Sequence, residues 1–283
     1  MEFPKGYFED EVREGFYISG MIKRTWAAQL EVLQVIDDIC KKHDIRWFAD
    51  CGTLLGAVRH GGYIPWDDDL DICMLRDEYI RFNKIVRSEL PKDYVWLNFA
   101  NDKEPYYHHI TRITNCHRLN FDADYLERYH DCAYAVGVDI FPIDYLCDDE
   151  EKERERQELA KVVMLAAGSV SEDNDKLDDA REVIRDIEKL CNVKFNYKKN
   201  IKQQLFKLAD DLFSMYTKDR GKNVALMHFW VDDSSHKYPV EYFKDAVMIP
   251  FEHIKVPVPV AYDGVLRIEY GDYMRINRVG GIH

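Results

Sequence analysis

Residues 50–72 read DCGTLLGAVRHGGYIPWDDDLDI, and the stretch Trp66-Asp67-Asp68-Asp69-Leu70-Asp71-Ile72 decides how the rest is read. Four carboxylates within five residues repel one another and are tolerable in a compact site only if solvated or facing a cation. Leu70 to Leu75 alternates as a strand does. On a strand, Asp69 and Asp71 would share one face while Leu70 and Ile72 enter the core. Two carboxylates roughly 6–7 Å apart along a strand can converge on a hard divalent ion. Mg²⁺ prefers such oxygen ligands and keeps waters and substrate phosphates in the rest of its shell. An acidic turn standing in water explains the spacing equally well. A calcium loop fits poorly: Asp67, Asp69, Asp71 and Glu78 take positions 1, 3, 5 and 12, but Ile72 stands where the sharp turn requires glycine.

Upstream, Arg46 to Ala49 reads as a short strand and TLLGAVRH, capped by Thr53, as a short helix. Free backbone N–H groups near Gly52 and the Thr53 hydroxyl make a natural anion seat. There is no Gly-Lys-Ser/Thr, so this is not a Walker A loop, and the Gly-x-x-x-Gly spacing also suits close packing. Arg59 and His60 end the helix before Gly61-Gly62. The guanidinium fork suits phosphate, while a cation at a helix C-terminus is the plainer account. Downstream, Asp139 is the one charge in Val138-Asp139-Ile140-Phe141. A buried carboxylate is costly unless paired or metal-bound, so it is either a third acid of the site or a satisfied strand-edge residue. Asp144, after Pro142, reads as a turn residue.

Further out, Ile22, Trp26, Leu30, Leu33, Ile36 and Cys40 are spaced as one face of an amphipathic helix that ends in Lys41, Lys42 and His43. Asp77 to Leu90 reads as a helix, and Tyr94–Phe99, His108–Ile113 and Ala135–Ile143 as strands. Residues 116–132 show no clear pattern. The charge run DDEEKERERQE opens two or three helical stretches reaching about Lys218. Short strands, prolines and a helix over Tyr262–Tyr270 follow. The expected architecture is α+β, a mixed β-sheet core with flanking helices and an added helical region. Its expected divisions are 1–147, 148–225 and 226–283, the last packing back on the core.

The chain has 283 residues, 46% hydrophobic and 13% aromatic, with a formal net charge of −13. That excludes a disordered chain and argues against a general nucleic-acid binder, which needs a cationic footprint. The longest uncharged apolar stretch, Val162 to Val170, is too short to span a membrane. The acidic N-terminus lacks the apolar segment of a secretory signal. Seven scattered cysteines without a Cys-x-x-Cys pair fit reduced thiols in a cytoplasmic protein, and their spacing does not support a zinc site.

Taken together, residues 50–72 resemble the signature of the LicD family of phosphocholine transferases, related to the fukutin proteins within the nucleotidyltransferase-fold superfamily. Other pieces match in order: Arg112 in HITRI, Gly137–Asp144 (GVDIFPID), Val256-Pro257-Val258-Pro259, and Tyr270-Gly271-Asp272-Tyr273-Met274. The resemblance covers about residues 20–145 and 240–275 and leaves 148–225 unmatched. Family members often continue past the tyrosine-rich segment with a proline and basic residues, whereas this chain reads Asn277–His283 there.

The resemblance implies a nucleotidyltransferase-like core in which Asp69, Asp71 and Asp139 hold Mg²⁺, or Mn²⁺, and carry the catalysis. Gly52 and Thr53 lie near the phosphates, and Arg59, Trp66, Arg112 and Tyr270 fall in or beside substrate-binding motifs. The implied reaction moves phosphocholine from CDP-choline to a sugar hydroxyl of a cell-surface glycan precursor, a teichoic-acid or lipopolysaccharide sugar, and releases CMP. Implied partners are a CDP-linked alcohol and a glycan or lipid-linked acceptor, with a cytoplasmic location or peripheral contact at the inner face of the membrane. Three rivals remain open: a nucleotidyltransferase releasing pyrophosphate; a CDP-ribitol, CDP-glycerol or phosphonate headgroup transferase; and a non-catalytic metal-binding or scaffold protein.

Overall fold

The computed structural model describes residues 1–172 and 177–276. In chain order the elements are β1 (Glu11–Arg13), β2 (Phe16–Ile18), α1 (Gly20–Lys42), β3 (Phe48–Ala49), α2 (Cys51–Arg59), β4 (Asp71–Leu75), α3 (Arg76–Glu89), β5 (Val95–Leu97), β6 (Thr111–Thr114), α4 (Ala123–Arg128) and β7 (Gly137–Tyr145). They continue with α5 (Glu150–Ser169), α6 (Leu177–Leu190), α7 (Ile201–Phe213), β8 (Asn223–Ala225), α8 (Met227–Trp230), β9 (Tyr238–Pro239), β10 (Ala246–Phe251), β11 (Ile254–Pro259) and α9 (Tyr262–Tyr270). The fold is α+β, of the nucleotidyltransferase-like kind, around a sheet with strand order β3-β4-β7-β6-β5.

The chain divides into two compact units. The first takes Met1–Trp96, Ile110–Pro142 and the C-terminal stretch from Glu241. Its core rests on α1, whose Trp26, Leu30, Leu33, Ile36 and Cys40 are buried as their spacing predicts. Ser19 caps the helix by accepting from the Ile22 amide, and Lys41 and Lys42 sit in its last turn against the negative end of the dipole. β3 pairs antiparallel with β4, placing Phe48 opposite Cys73, and β6 pairs antiparallel with β7, placing Arg112 opposite Asp139. Two hairpins, β1–β2 and β10–β11, stand apart from this sheet.

The second unit takes Leu97–His109 and Ile143–Val240. Its apolar core includes Ala160 and Val163 of α5, Ile184 of α6, and Leu205 and Phe213 of α7. The buried Arg156 pairs with Glu153 and donates to the carbonyls of Tyr145 (3.2 Å) and Phe213 (3.1 Å). This is the paired, hydrogen-bonded state a buried charge requires. The charge run that opens α5 is therefore only partly a solvated face.

Two local expectations are corrected. β4 starts at Asp71, not Leu70, and all five of its residues are buried. Hydrophobic alternation does not apply to a strand covered on both faces, so Asp69 lies in the preceding loop, exposed, rather than beside Asp71 on one strand face. α2 starts at Cys51 with Asp50 in the N-cap position, two residues before the expected Thr53 start.

Gly56 has a packing role. A Cβ built there would lie 2.4 Å from the Gly62 carbonyl oxygen, a backbone atom with little room to move. Gly56→Ala is expected to destabilise the protein by about 1–3 kcal/mol, the usual cost of overpacking, readable as a lowered denaturant midpoint with unchanged slope.

Candidate active site

Backbone hydrogen bonds bring the acidic residues together. The Asp50 amide donates to the Asp71 carbonyl (3.1 Å), and the Asp139 amide donates to the Leu70 carbonyl (3.0 Å). The Asp71 amide donates to Thr53 Oγ1 (2.8 Å), so the hydroxyl oxygen ties α2 to the start of β4. The acidic loop is fastened from α1: Trp26 Nε1 donates to the Asp67 carbonyl (3.1 Å) and Gln29 Nε2 to the Asp68 carbonyl (2.7 Å). Tyr63 stacks on Trp26 with ring centroids 4.6 Å apart and planes within 3°.

The electrostatics follow from this crowding. Burial pushes the Asp71 carboxyl well above the usual range, and the charges of Asp69, Asp139, Asp50 and Asp67 add to the shift. The Asp67 carboxyl is pushed up to about 8, by burial first and then by the charge of Asp69 and a hydrogen bond with it. Burial raises Asp50 to about 6, against the opposing bonds from the Cys73 thiol and the Cys51 amide. The same environment raises the Cys51 and Cys73 thiols, again chiefly through burial. All seven cysteines are free thiols.

Neither Asp69 nor Asp71 forms an ion pair with Lys, Arg or His among the described residues. Hard oxygen donors carrying mutual repulsion fit a divalent cation, which would relieve it. Among the described residues no three His, Cys, Asp or Glu side chains are gathered closely enough to hold a metal unaided.

Asp139 faces this cluster from β7, and its carboxylate is gripped by the Arg112 guanidinium, with Nη2 2.5 Å from Oδ2 and Nε on Oδ1. The two cationic candidates thus differ. Arg112 is committed to Asp139. Arg59 donates through Nε to His60 Nε2 (2.8 Å) and through Nη1 to the Tyr273 carbonyl (2.8 Å), leaving its buried Nη2 without a hydrogen-bond partner. Burial pulls the Arg59 pKa down, against the charge of Glu14. Tyr270 is half-buried, and its hydroxyl is pushed up by burial and by the nearby Cys51, Glu269, Asp50 and Asp71. Trp66 stands edge-on to Phe16 and to His60, each 6.1 Å away. Gly52 is buried in the first turn of α2.

Sequence reasoning passed over Asp50 as a carboxylate of the site. The signal was present: an acid immediately before the glycine-led turn, at a strand end, where its burial was foreseeable. It also left His60 without a role.

Neighbouring interior strands carrying Asp71 and Asp139, with a glycine-led helix beside them, are the arrangement of a nucleotidyltransferase-type domain. Residues 44–144 match the family described as LicD/FKTN/FKRP, nucleotidyltransferase domain. The chain is similar to the lipopolysaccharide cholinephosphotransferase LicD of Haemophilus influenzae, 35% identical over 94 residues, which cover 33% of this chain and 36% of that protein. It is also similar to an uncharacterized protein of Rickettsia typhi (41% over 56 residues; 20% and 18%) and to one of Rickettsia prowazekii (35% over 77 residues; 27% and 28%). The matched stretches span about a third or less of each curated relative.

Proposed function

We propose that this chain is a phosphotransferase moving a substituted phosphate, phosphocholine from CDP-choline, to a sugar hydroxyl of a glycan such as lipopolysaccharide. The observation that carries the reading is the Asp69–Asp71 pair, which has no ion-pair partner among the described residues, together with an Arg59 that keeps an unused donor. The similarity to a protein named lipopolysaccharide cholinephosphotransferase supplies the headgroup and the acceptor class.

Asp69 and Asp71 would hold Mg²⁺, with Asp139 at its edge, and the ion would neutralise the donor's diphosphate and polarise the phosphorus. Arg59 takes the departing phosphate through its free arm, because Arg112 is already spent on Asp139. Arg112 orients Asp139, which either completes the metal site or accepts the hydroxyl proton. The acceptor oxygen forms a bond to the choline-bearing phosphorus, the P–O bond to CMP breaks, and CMP leaves with the electron pair. Holding these groups in line supplies most of the acceleration. Trp66 and Tyr270 offer aromatic faces to the quaternary ammonium. The acceptor is met at the inner face of the membrane; among the described residues no helix is long and apolar enough to cross it.

The test is incubation with a panel of CDP-alcohols, Mg²⁺ and sugar acceptors. Release of CMP with CDP-choline is expected. Release of pyrophosphate from CTP instead would make the chain a nucleotidyltransferase, and turnover with CDP-ribitol or CDP-glycerol alone would change the headgroup.

A further inference from the structure

We infer that His60, held by Glu14 of the N-terminal hairpin, is a positioning residue that aims Arg59 at the diphosphate of the donor. The inference rests on the proposed function and extends it to two residues outside the acidic cluster.

The chemistry of the donors fixes the arrangement. An arginine Nε always carries a proton, so in the 2.8 Å contact between Arg59 Nε and His60 Nε2 the imidazole nitrogen must accept. Neutral His60 then carries its own proton on Nδ1, which stands 3.0 Å from Glu14 Oε1 and donates to it. Burial favours the neutral ring, against the charge of Glu14. Arg13 and Arg59, the other charged groups acting on the ring, also disfavour a second proton.

Glu14 is delivered deliberately. It and Gly15 form the two-residue loop between β1 and β2, both with positive φ (50° and 75°), the conformation of a tight hairpin turn. A non-glycine residue there is strained and persists only when its surroundings hold it. The hairpin is anchored in turn by Arg13, whose Nη1 lies 2.6 Å from Glu252 Oε1. The opposite side of Arg59 is fixed by the Tyr273 carbonyl. With Nε and Nη1 both held, the guanidinium plane has one orientation, and Nη2 is left as the buried donor with nothing to bind. A buried unsatisfied donor is costly, so an anion arriving there gains from satisfying it. The His60 ring also stands edge-on to Trp66, the residue before the acidic loop. Acting through Arg59, His60 contributes by orientation and not by contact with substrate.

The test is a double-mutant cycle read as affinity, by calorimetry with Mg²⁺ and either CDP or inorganic pyrophosphate as the probe. Arg59→Ala is expected to weaken both probes by about 100-fold, and His60→Ala by about 10-fold. His60→Gln, whose amide oxygen can accept from Arg59 Nε, is expected to restore affinity to within about threefold. In the Arg59→Ala background, His60→Ala should cost nothing further. Nitrogen NMR should show His60 in the Nδ1–H form, and Glu14→Ala should shift that tautomer and raise KM with little change in kcat.

An equal loss from His60→Ala with and without Arg59, or an Nε2–H tautomer, overturns the inference, as does failure of the wild-type protein to bind either probe. Normal binding and coupling without turnover of any CDP-alcohol would leave the positioning role standing and defeat the transferase reading alone.

Discussion

Asp71→Asn is expected to abolish transfer while making the metal-free protein more stable. The loss follows from removing one of two aspartates that would share the cation: at least about 10²–10³ in kcat, the scale of losing one preorganised electrostatic contact in a site. The gain follows from the sign of the titration. Burial and four neighbouring acids raise the folded-state pKa of Asp71 above its unfolded value. The folded protein then binds more protons than the unfolded chain, so this carboxyl erodes stability as pH rises above about 4. An amide of the same shape removes that erosion. Melting curves of the two proteins without divalent ions should converge near pH 4 and separate progressively toward pH 8, with Asp71→Asn the higher. An equal or lower melting temperature at pH 8 would mean that Asp71 is compensated by something other than a metal.

Magnesium affinity should rise steeply with pH, by about tenfold per unit between pH 6 and pH 8 if one proton is displaced. The Asp67 carboxyl, raised to about 8, adjoins Asp69, so a cation entering the cluster must displace its proton. The sign is fixed: below the raised pKa the proton competes with the ion, and above it the competition ends. Calorimetry in buffers of different ionisation enthalpy would count the protons released. Affinity independent of pH over this range would place the cation away from Asp67 and Asp71.

Much of this arrangement was legible in the sequence, for reasons that differ by element. The helix over Tyr262–Tyr270 and the buried stripe of α1 were readable because helical periodicity repeats over several turns. The acidic cluster was readable because its charges are consecutive. The hairpin β1–β2 was not, since three-residue strands carry too short a pattern to register. Nor was α4, a six-residue helix within the stretch that showed no pattern. The pairing of Arg112 with Asp139 could not be read because it depends on the register of two strands 27 positions apart. Arg59 and His60 were visible as residues, but their geometry depends on Glu14 and Tyr273, 46 and 214 positions from His60 and Arg59 respectively. The expected break with family sequences at 277–283 lies outside the described residues.

The fastening of residues 67 and 68 to Trp26 and Gln29 goes through main-chain oxygens alone. Swapping aspartate for asparagine one position at a time should therefore disturb these two ties little while removing one ionisable carboxyl at each step. Such a ladder would work as a ruler, calibrating how much pull the cluster exerts on ions of different radius and valence. Selectivity between competing cations could then be tuned here without rebuilding the scaffold.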